Sequence, residues 1–414
     1  MVVNRAAGAP ADASSDQPRR WRAQWRALAA VATIAFAGAA AASTPTKPAP
    51  ARPAAAADHY ALADFDAVAK IDVHVHLHGE LHDFLARARA DNFRLLTINV
   101  DYADFPALDE QQRTAVALVH DDPALVAFAA SFPVDRFDTP GWTAATLARI
   151  DDALAQGAVA VKVWKNIGME LRDAEGRAVM VDDARLAPIF DALARQGVVL
   201  MGHQAEPLNC WLPFARMTVG SDRQYFRAHP QYYMAIHPEW PSHERQIAAR
   251  DQLLLAHPDL KFVGLHLASL EWDVDRIAAF LDRFPQASVD VAARMVHLEQ
   301  QAIHQRAKVR RFLVRYQDRI LYGSDLARMP EASDAGFAAE ADAAWRADWR
   351  FLNTDDTLRS DDLPAPFRGL ALPRAVVDKI YRTNALRVFP GAWRAAGAPR
   401  GATMPVAPSP EPGP

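Results

Sequence analysis

The chain has 414 residues, half of them hydrophobic and 23% charged, with a formal net charge of −4. That length and balance exclude a disordered or fibrous protein and allow a large buried core. A mildly acidic chain without basic blocks is not a nucleic-acid binder by charge, and its single cysteine, Cys210, excludes an intrachain disulfide or a thiolate metal cluster.

At the N-terminus, Arg19, Arg20, Trp21, Arg22 and Arg26 precede the apolar run ALAAVATIAFAGAAAAS, which ends in small residues around Ala40 to Ala42. A basic start, an apolar middle and an A-x-A-like end identify residues 1–42 as an export signal peptide. The run is shorter than the roughly 20 residues that span a bilayer, so cleavage is expected and no stable membrane anchor afterwards. The arginine pair hints at twin-arginine export, the route taken by proteins already folded. Losing the segment removes five arginines and two aspartates and takes the net charge from −4 to −7. An exported chain with one cysteine fits a bacterial periplasm. Residues 43–58 read as a Pro/Ala-rich linker and 397–414 as a Pro/Gly/Ala-rich disordered tail, which leaves 59–396 as one domain.

Within that domain eight short apolar runs read as strands: 70–76, 94–100, 125–134, 158–164, 198–204, 261–269, 287–294 and 319–325. Helix signals lie between them. TPGWTAATLARIDDALAQG ends in Gly157, and DDARLAPIFDALARQG starts at Asp182 or Asp183 and ends in Gly197. Ser242 is placed to cap the helix through RQIAARDQLLLAH, and Pro285 stops the one through EWDVDRIAAFLDRF. Eight strands alternating with helices predict an α/β fold, a (β/α)₈ TIM barrel with a long lid-like insertion after the fifth strand. A doubly wound open sheet is the alternative, but no glycine-rich phosphate loop follows the first strand.

Strand parity then assigns faces. Val159, Val161 and Val163 point out under helices, while Ala160, Lys162 and Trp164 point into the barrel. The same rule turns Ile71, Val73 and Val75 outward and Asp72, His74 and His76 inward, with Asp72 able to orient His74 or to serve a structural bond. Gly264 and Gly323 leave room below the site.

Metal-ligand residue types end several of these strands. His74 and His76 close KIDVHVH, His203 closes VVLMGH, His266 closes KFVGLH and Asp325 closes RILYGSD. In a barrel all five meet at the C-terminal mouth. Imidazole and carboxylate donors suit zinc, with manganese as the other candidate for the divalent ion. The ion would activate water and polarise a carbonyl, with a nearby carboxylate or histidine as base.

The HxH strand, GHQAEP around His203, GLHLAS around His266, the YGSD strand end and the closing NALRVFP together resemble the amidohydrolase superfamily over roughly residues 70–390. In particular they resemble the branch that includes metal-dependent decarboxylases and dicarboxylate lactonases. The resemblance implies that His74, His76, His203 and Asp325 bind the metal, that His266 completes the set or holds the water, and that Asp325 also accepts the proton. Some members of the superfamily carry a carboxylated lysine bridging two metals near the position of Lys162. The other readings of Lys162 are a free ammonium gripping an anionic substrate and a lysine snorkelling at the rim.

The long connection after the fifth strand carries Glu206, Trp211 and Arg223, which with Lys162 and with Arg294 after the seventh strand are the candidate substrate-binding residues for a small anionic or aromatic molecule. A folded lid or a homo-oligomer contact is the competing role for this connection. The helix with AWRADWRFL is placed to cap the pocket. The expected function is metal-dependent hydrolysis of an amide, ester or lactone. Non-oxidative decarboxylation on the same scaffold is the alternative, and a non-catalytic periplasmic binding protein is a third reading.

Overall fold

The computed structural model describes residues 58–394. The export segment, the linker up to residue 57 and the 397–414 tail lie outside the described residues. Among the described residues no helix is long and apolar enough to cross a membrane.

All eight expected strands form, the first with its expected bounds, the second starting one residue early at Phe93, and the others shortened. They are β1 (Lys70–His76), β2 (Phe93–Ile98), β3 (Val126–Ala130), β4 (Ala160–Val163), β5 (Val199–Gly202), β6 (Phe262–Gly264), β7 (Ala287–Asp290) and β8 (Ile320–Leu321). A two-residue strand, β9 (Leu326–Ala327), follows the bend at Gly323 to Asp325 and pairs with β1. The sheet runs β8-β7-β6-β5-β4-β3-β2-β1-β9, parallel throughout. Because β8 and β9 are one stretch of chain, the two ends of this order meet. Val73 N donates to Tyr322 O at 3.0 Å, Asp325 N to His74 O at 2.8 Å and Arg328 N to His76 O at 2.9 Å. The fold is a closed (β/α)₈ TIM barrel.

Helices α1 (His82–Ala90), α2 (Leu108–Asp121), α3 (Trp142–Ala155) and α4 (Ala187–Gln196) cover the first half. In the second half α5 (Gly220–Ala228) belongs to the insertion, and α6 (His243–Ala256), α7 (Val274–Arg283), α8 (Met295–Arg315) and α9 (Asp334–Asn353) complete the ring. Ser242 caps α6 through Arg245 N, and the turns after α3 and α4 use Gly157 and Gly197 at φ 109° and 65°. The start expected at Asp182 or Asp183 is displaced, since α4 begins only at Ala187. Asp183 is taken up by Arg185, whose backbone and guanidinium N–H groups both donate to it.

Two apolar layers follow from period-two alternation. The interior packs Val73, Ile98, Ala129, Ala160, Met201 and Val263, while Val161, Leu200, Phe262 and Val289 pack outward under the helices. The parity of β4 is as expected. That of β1 is corrected by a bulge. Between Asp72 and Val75 the register against β2 slips by one residue, with Asp72 opposite Leu95 and Val75 opposite Thr97. Ile71 and Val73 therefore face the interior and Asp72 faces out, where it accepts the Trp345 indole N–H at 2.9 Å. The extra residue brings His74 and His76 inward on the other phase. Gly264 is corrected too: a Cβ there would lie 2.6 Å from Ala268 Cβ, on the outer side. Gly323 does lie beneath the site, since its Cβ would stand 2.9 Å from His74 Cβ.

The helix with AWRADWRFL does not cap the pocket. It is α9, whose Trp345 stacks on Phe93 at 4.3 Å and whose Trp349 meets Phe65 at 5.7 Å on the outside of the barrel. Beneath it lie buried acids. Asp348 accepts from Tyr322 Oη at 2.8 Å and is pushed up to about 7 by burial. Burial, then Asp348 and Asp362, push Glu299 on α8 up to about 8. A carboxyl with a raised folded pKa supports the fold fully only below its unfolded value, and that support falls as pH climbs through the folded one. Glu299→Gln should flatten the decline in thermal stability from about pH 4.5 to 8, raising the midpoint at pH 8.5 and changing it little at pH 5. Parallel melting curves for the two proteins check this.

Candidate metal centre

Each strand end delivers its side chain through a local device. His74 and His76 arrive through the β1 bulge, and Asp325 follows Gly323 in the left-handed region at φ 68°. His266 opens a run of four residues at positive φ, His266 to Ser269, at 58°, 57°, 56° and 54°. That is a single left-handed turn without glycine, costing about 1–2 kcal/mol per residue. The surroundings fix it. Arg250 donates to Ala268 O, His243 Nε2 to Ser269 O at 3.2 Å, and Ser269 Oγ to Ala205 O at 2.7 Å.

The geometry of the donors is specific. His74 Nε2 lies 3.0 Å and His76 Nε2 3.3 Å from Asp325 Oδ1. On the far side of the rings, His74 Nδ1 is 2.8 Å from Asp290 Oδ2, His76 Nδ1 is 2.7 Å from Ile98 O, and His266 Nδ1 is 2.9 Å from Ala292 O. Carbonyl and carboxylate oxygens only accept, so each Nδ1 carries the proton and each Nε2 is left with a lone pair. The His203 ring lies 4.1 Å from that of His266, and its Nε2 is buried without a hydrogen-bond partner.

Three of the imidazoles are held in the neutral form. Burial, then Lys165, Lys162 and Arg294, hold His203 well below the usual histidine range, and burial then His203 do the same for His266. Burial pushes His76 down to about 4. These rings are neutral at pH 7, the form that ligates metal. Burial and Lys162 oppose protonation of His74, but Asp325 and Asp290 on either side lift it above its usual value. Burial would raise Asp325, yet His74, His266 and the hydrogen bonds from His74 and His76 hold it well below the carboxylate range. Positive charge is thus stabilised between His74 Nε2 and Asp325. The residues fit a divalent ion.

Lys162 is buried inside this ring and not at a rim, with Nζ 3.2 Å from His74 Nε2, and burial pushes its ammonium down to about 8. Glu206 reaches the site from the insertion, paired with Lys165, 3.7 Å from His203 Nε2 and 3.7 Å from Arg294. Trp211 and Arg223 do not join them. The Trp211 indole donates to Pro241 O at 3.3 Å and Arg223 to Met217 O at 2.6 Å, both within the insertion. That insertion is folded, built of α5 and short 3₁₀ turns around Cys210, Met217, Phe226 and Tyr233. Asp222 ties it to the barrel by accepting from His297 Nε2 at 3.0 Å.

Asp290 is the residue the sequence reading missed. Besides His74 Nδ1 it accepts the backbone N–H of His266 at 2.6 Å, so one carboxylate orients two of the candidate ligands. Its signal was present: like Asp325, it is an acidic residue closing an apolar strand.

Residues 71–391 match the sequence profile of the family described as amidohydrolase. The chain belongs to the amidohydrolase family. It is therefore an enzyme, in a family that is generally metal-dependent, with His74, His76 and Asp325 as its metal-competent group. This amidohydrolase is similar in structure to 2,6-dihydroxybenzoate decarboxylase from Rhizobium, with 15% identity and a TM-score of 0.44 over 78% of this chain and 98% of that one. A proposed 2-pyrone-4,6-dicarboxylic acid hydrolase from Pseudomonas putida is 14% identical, with a TM-score of 0.42 over 78% of this chain and 97% of that one. Similarity at this level carries no inference about reaction or substrate. A search of curated proteins finds no match.

Proposed function

We propose that this amidohydrolase is an exported, metal-dependent hydrolase acting on an amide, ester or lactone carbonyl of a small substrate. The observation that supports it is the convergence of His74 Nε2, His76 Nε2 and Asp325 Oδ1, backed by Nδ1 atoms already committed to fixed acceptors. In this reading His74, His76, His203 and Asp325 hold zinc or manganese and His266 completes the set. When bound, such an ion polarises a carbonyl and lowers the pKa of a water to about 7.

The chain's own groups do the rest. Asp325, ionised and held between two imidazoles, takes the proton of the attacking water and returns it to the leaving group. Asp290 keeps His74 in the tautomer that presents Nε2. Arg294 and Lys165 flank Glu206 and place positive charge beside His203, where the carbonyl oxygen gathers negative charge. Export rests on the sequence of residues 19–42.

Metal content and turnover of His76→Ala test the assignment. Bound zinc should fall at least about tenfold and turnover about a thousandfold or more, with the helical signal unchanged. Reactions of an amide, ester and lactone panel in ¹⁸O-water separate the chemistries. Label in the acid product is hydrolysis, whereas CO₂ release without incorporated label would replace this reading by decarboxylation. Metal-dependent ligand binding with no turnover of any substrate would make it a binding protein.

A further inference from the structure

Beside the metal centre lies a cavity of about 610 Å³ at the ends of β2, β3 and β4. Its walls are aromatic and continuous with the site. The Phe105 ring is 5.2 Å from that of His76, Tyr102 is 5.1 Å from Phe105, and Trp164 is 5.0 Å from Tyr102. Three carboxylates complete the lining, Asp101, Asp135 and Glu170. Among the described residues none of the three is in an ion pair, although Asp101 accepts from Asn166 Nδ2 at 3.1 Å and Val134 N at 3.2 Å, and Glu170 bonds Tyr232. The one arginine in the lining, Arg172, holds its guanidinium 3.5 Å from the centre of the Trp240 ring.

We infer that this cavity is the subsite for the part of the substrate away from the scissile carbonyl, and that it takes a planar ring bearing a protonated amine or amidinium. Aromatic walls supply stacking area and attract a cation to their faces. These carboxylates, none of them in an ion pair, attract the same charge and repel an anion. This reverses the anionic preference expected from the sequence, because two of the cations that suggested it, Lys162 and Arg294, lie on the metal side by His74 and Glu206, and the third, Arg223, donates to Met217 O within the insertion. The inference rests on the hydrolase reading only for which end of the substrate faces the metal.

Calorimetric titration of chelator-treated full-length protein with benzamidinium and with benzoate tests it, because these probes share a shape and differ in charge. Removing metal keeps benzoate from binding there. Benzamidinium should bind at least about tenfold more tightly than benzoate. Trp164→Ala should weaken it severalfold, and Glu170→Gln should cut the discrimination. Equal or tighter binding of benzoate, no binding of benzamidinium, or discrimination unchanged in both Glu170→Gln and Asp101→Asn would overturn the subsite. Because no metal is present, these outcomes leave the hydrolase assignment standing or falling on its own experiment.

Discussion

Asp290→Asn should lower zinc affinity by about 10–100-fold, although no proposed ligand is altered. The carboxylate accepts from two donors, His74 Nδ1 through one oxygen and His266 N through the other. An amide offers one accepting oxygen, and its NH₂ would face whichever donor it fails to satisfy. Either His74 turns and loses its tautomer, or the turn that carries His266 loses its anchor. Asp290→Ala removes both bonds from a fully buried pair and should cost about 3–5 kcal/mol of stability. Zinc titration against a competing chelator, with denaturant unfolding alongside, measures the two effects. An asparagine variant that keeps wild-type affinity would show that the tautomer is held by something else.

Arg250→Met should destabilise the barrel by about 2–4 kcal/mol and lower turnover at a position well outside the ligand ring. Four consecutive left-handed residues carry His266 and together cost about 4–8 kcal/mol. The buried guanidinium answers part of that cost. It donates to Ala268 O, binds Asp251 Oδ1 at 2.7 Å and lies 4.2 Å over the Phe280 ring. Methionine keeps the apolar stem, so the loss reports the contacts of the guanidinium. The denaturation midpoint and kcat report the two consequences. An unchanged midpoint would mean that His243 and Ser269 suffice to hold the turn.

The barrel was legible in the sequence because its signal is repeated. Eight apolar runs separated by helices bounded by Gly157, Gly197, Ser242 and Pro285 leave little freedom in topology. The grouping of His74, His76 and Asp325 was legible because such residue types close strands that end together at the barrel mouth. What escaped was phase. A bulge in β1 depends on pairing with β2 and leaves no local mark, so Asp72 was turned inward when it faces Trp345. Positive φ at His266, Leu267, Ala268 and Ser269 was equally hidden, since none is glycine and the cause lies in Arg250, His243 and Asp290. The insertion was rich in tempting side chains, but Trp211 and Arg223 serve its own backbone.

The seam between β1 and β9 gives the barrel a built-in order of assembly. Ser324 bonds Asp72 across 252 positions of chain, and Asp325 donates its backbone N–H to His74 O at the same place. A chain emerging from the ribosome exposes His74 and His76 early but has no Asp325 to set against them until the final strand arrives. The ring of donors therefore closes only when the first and last strands meet, and a fragment ending before residue 320 has neither seam nor complete ring. Capture of an ion by this ring would therefore await a finished barrel.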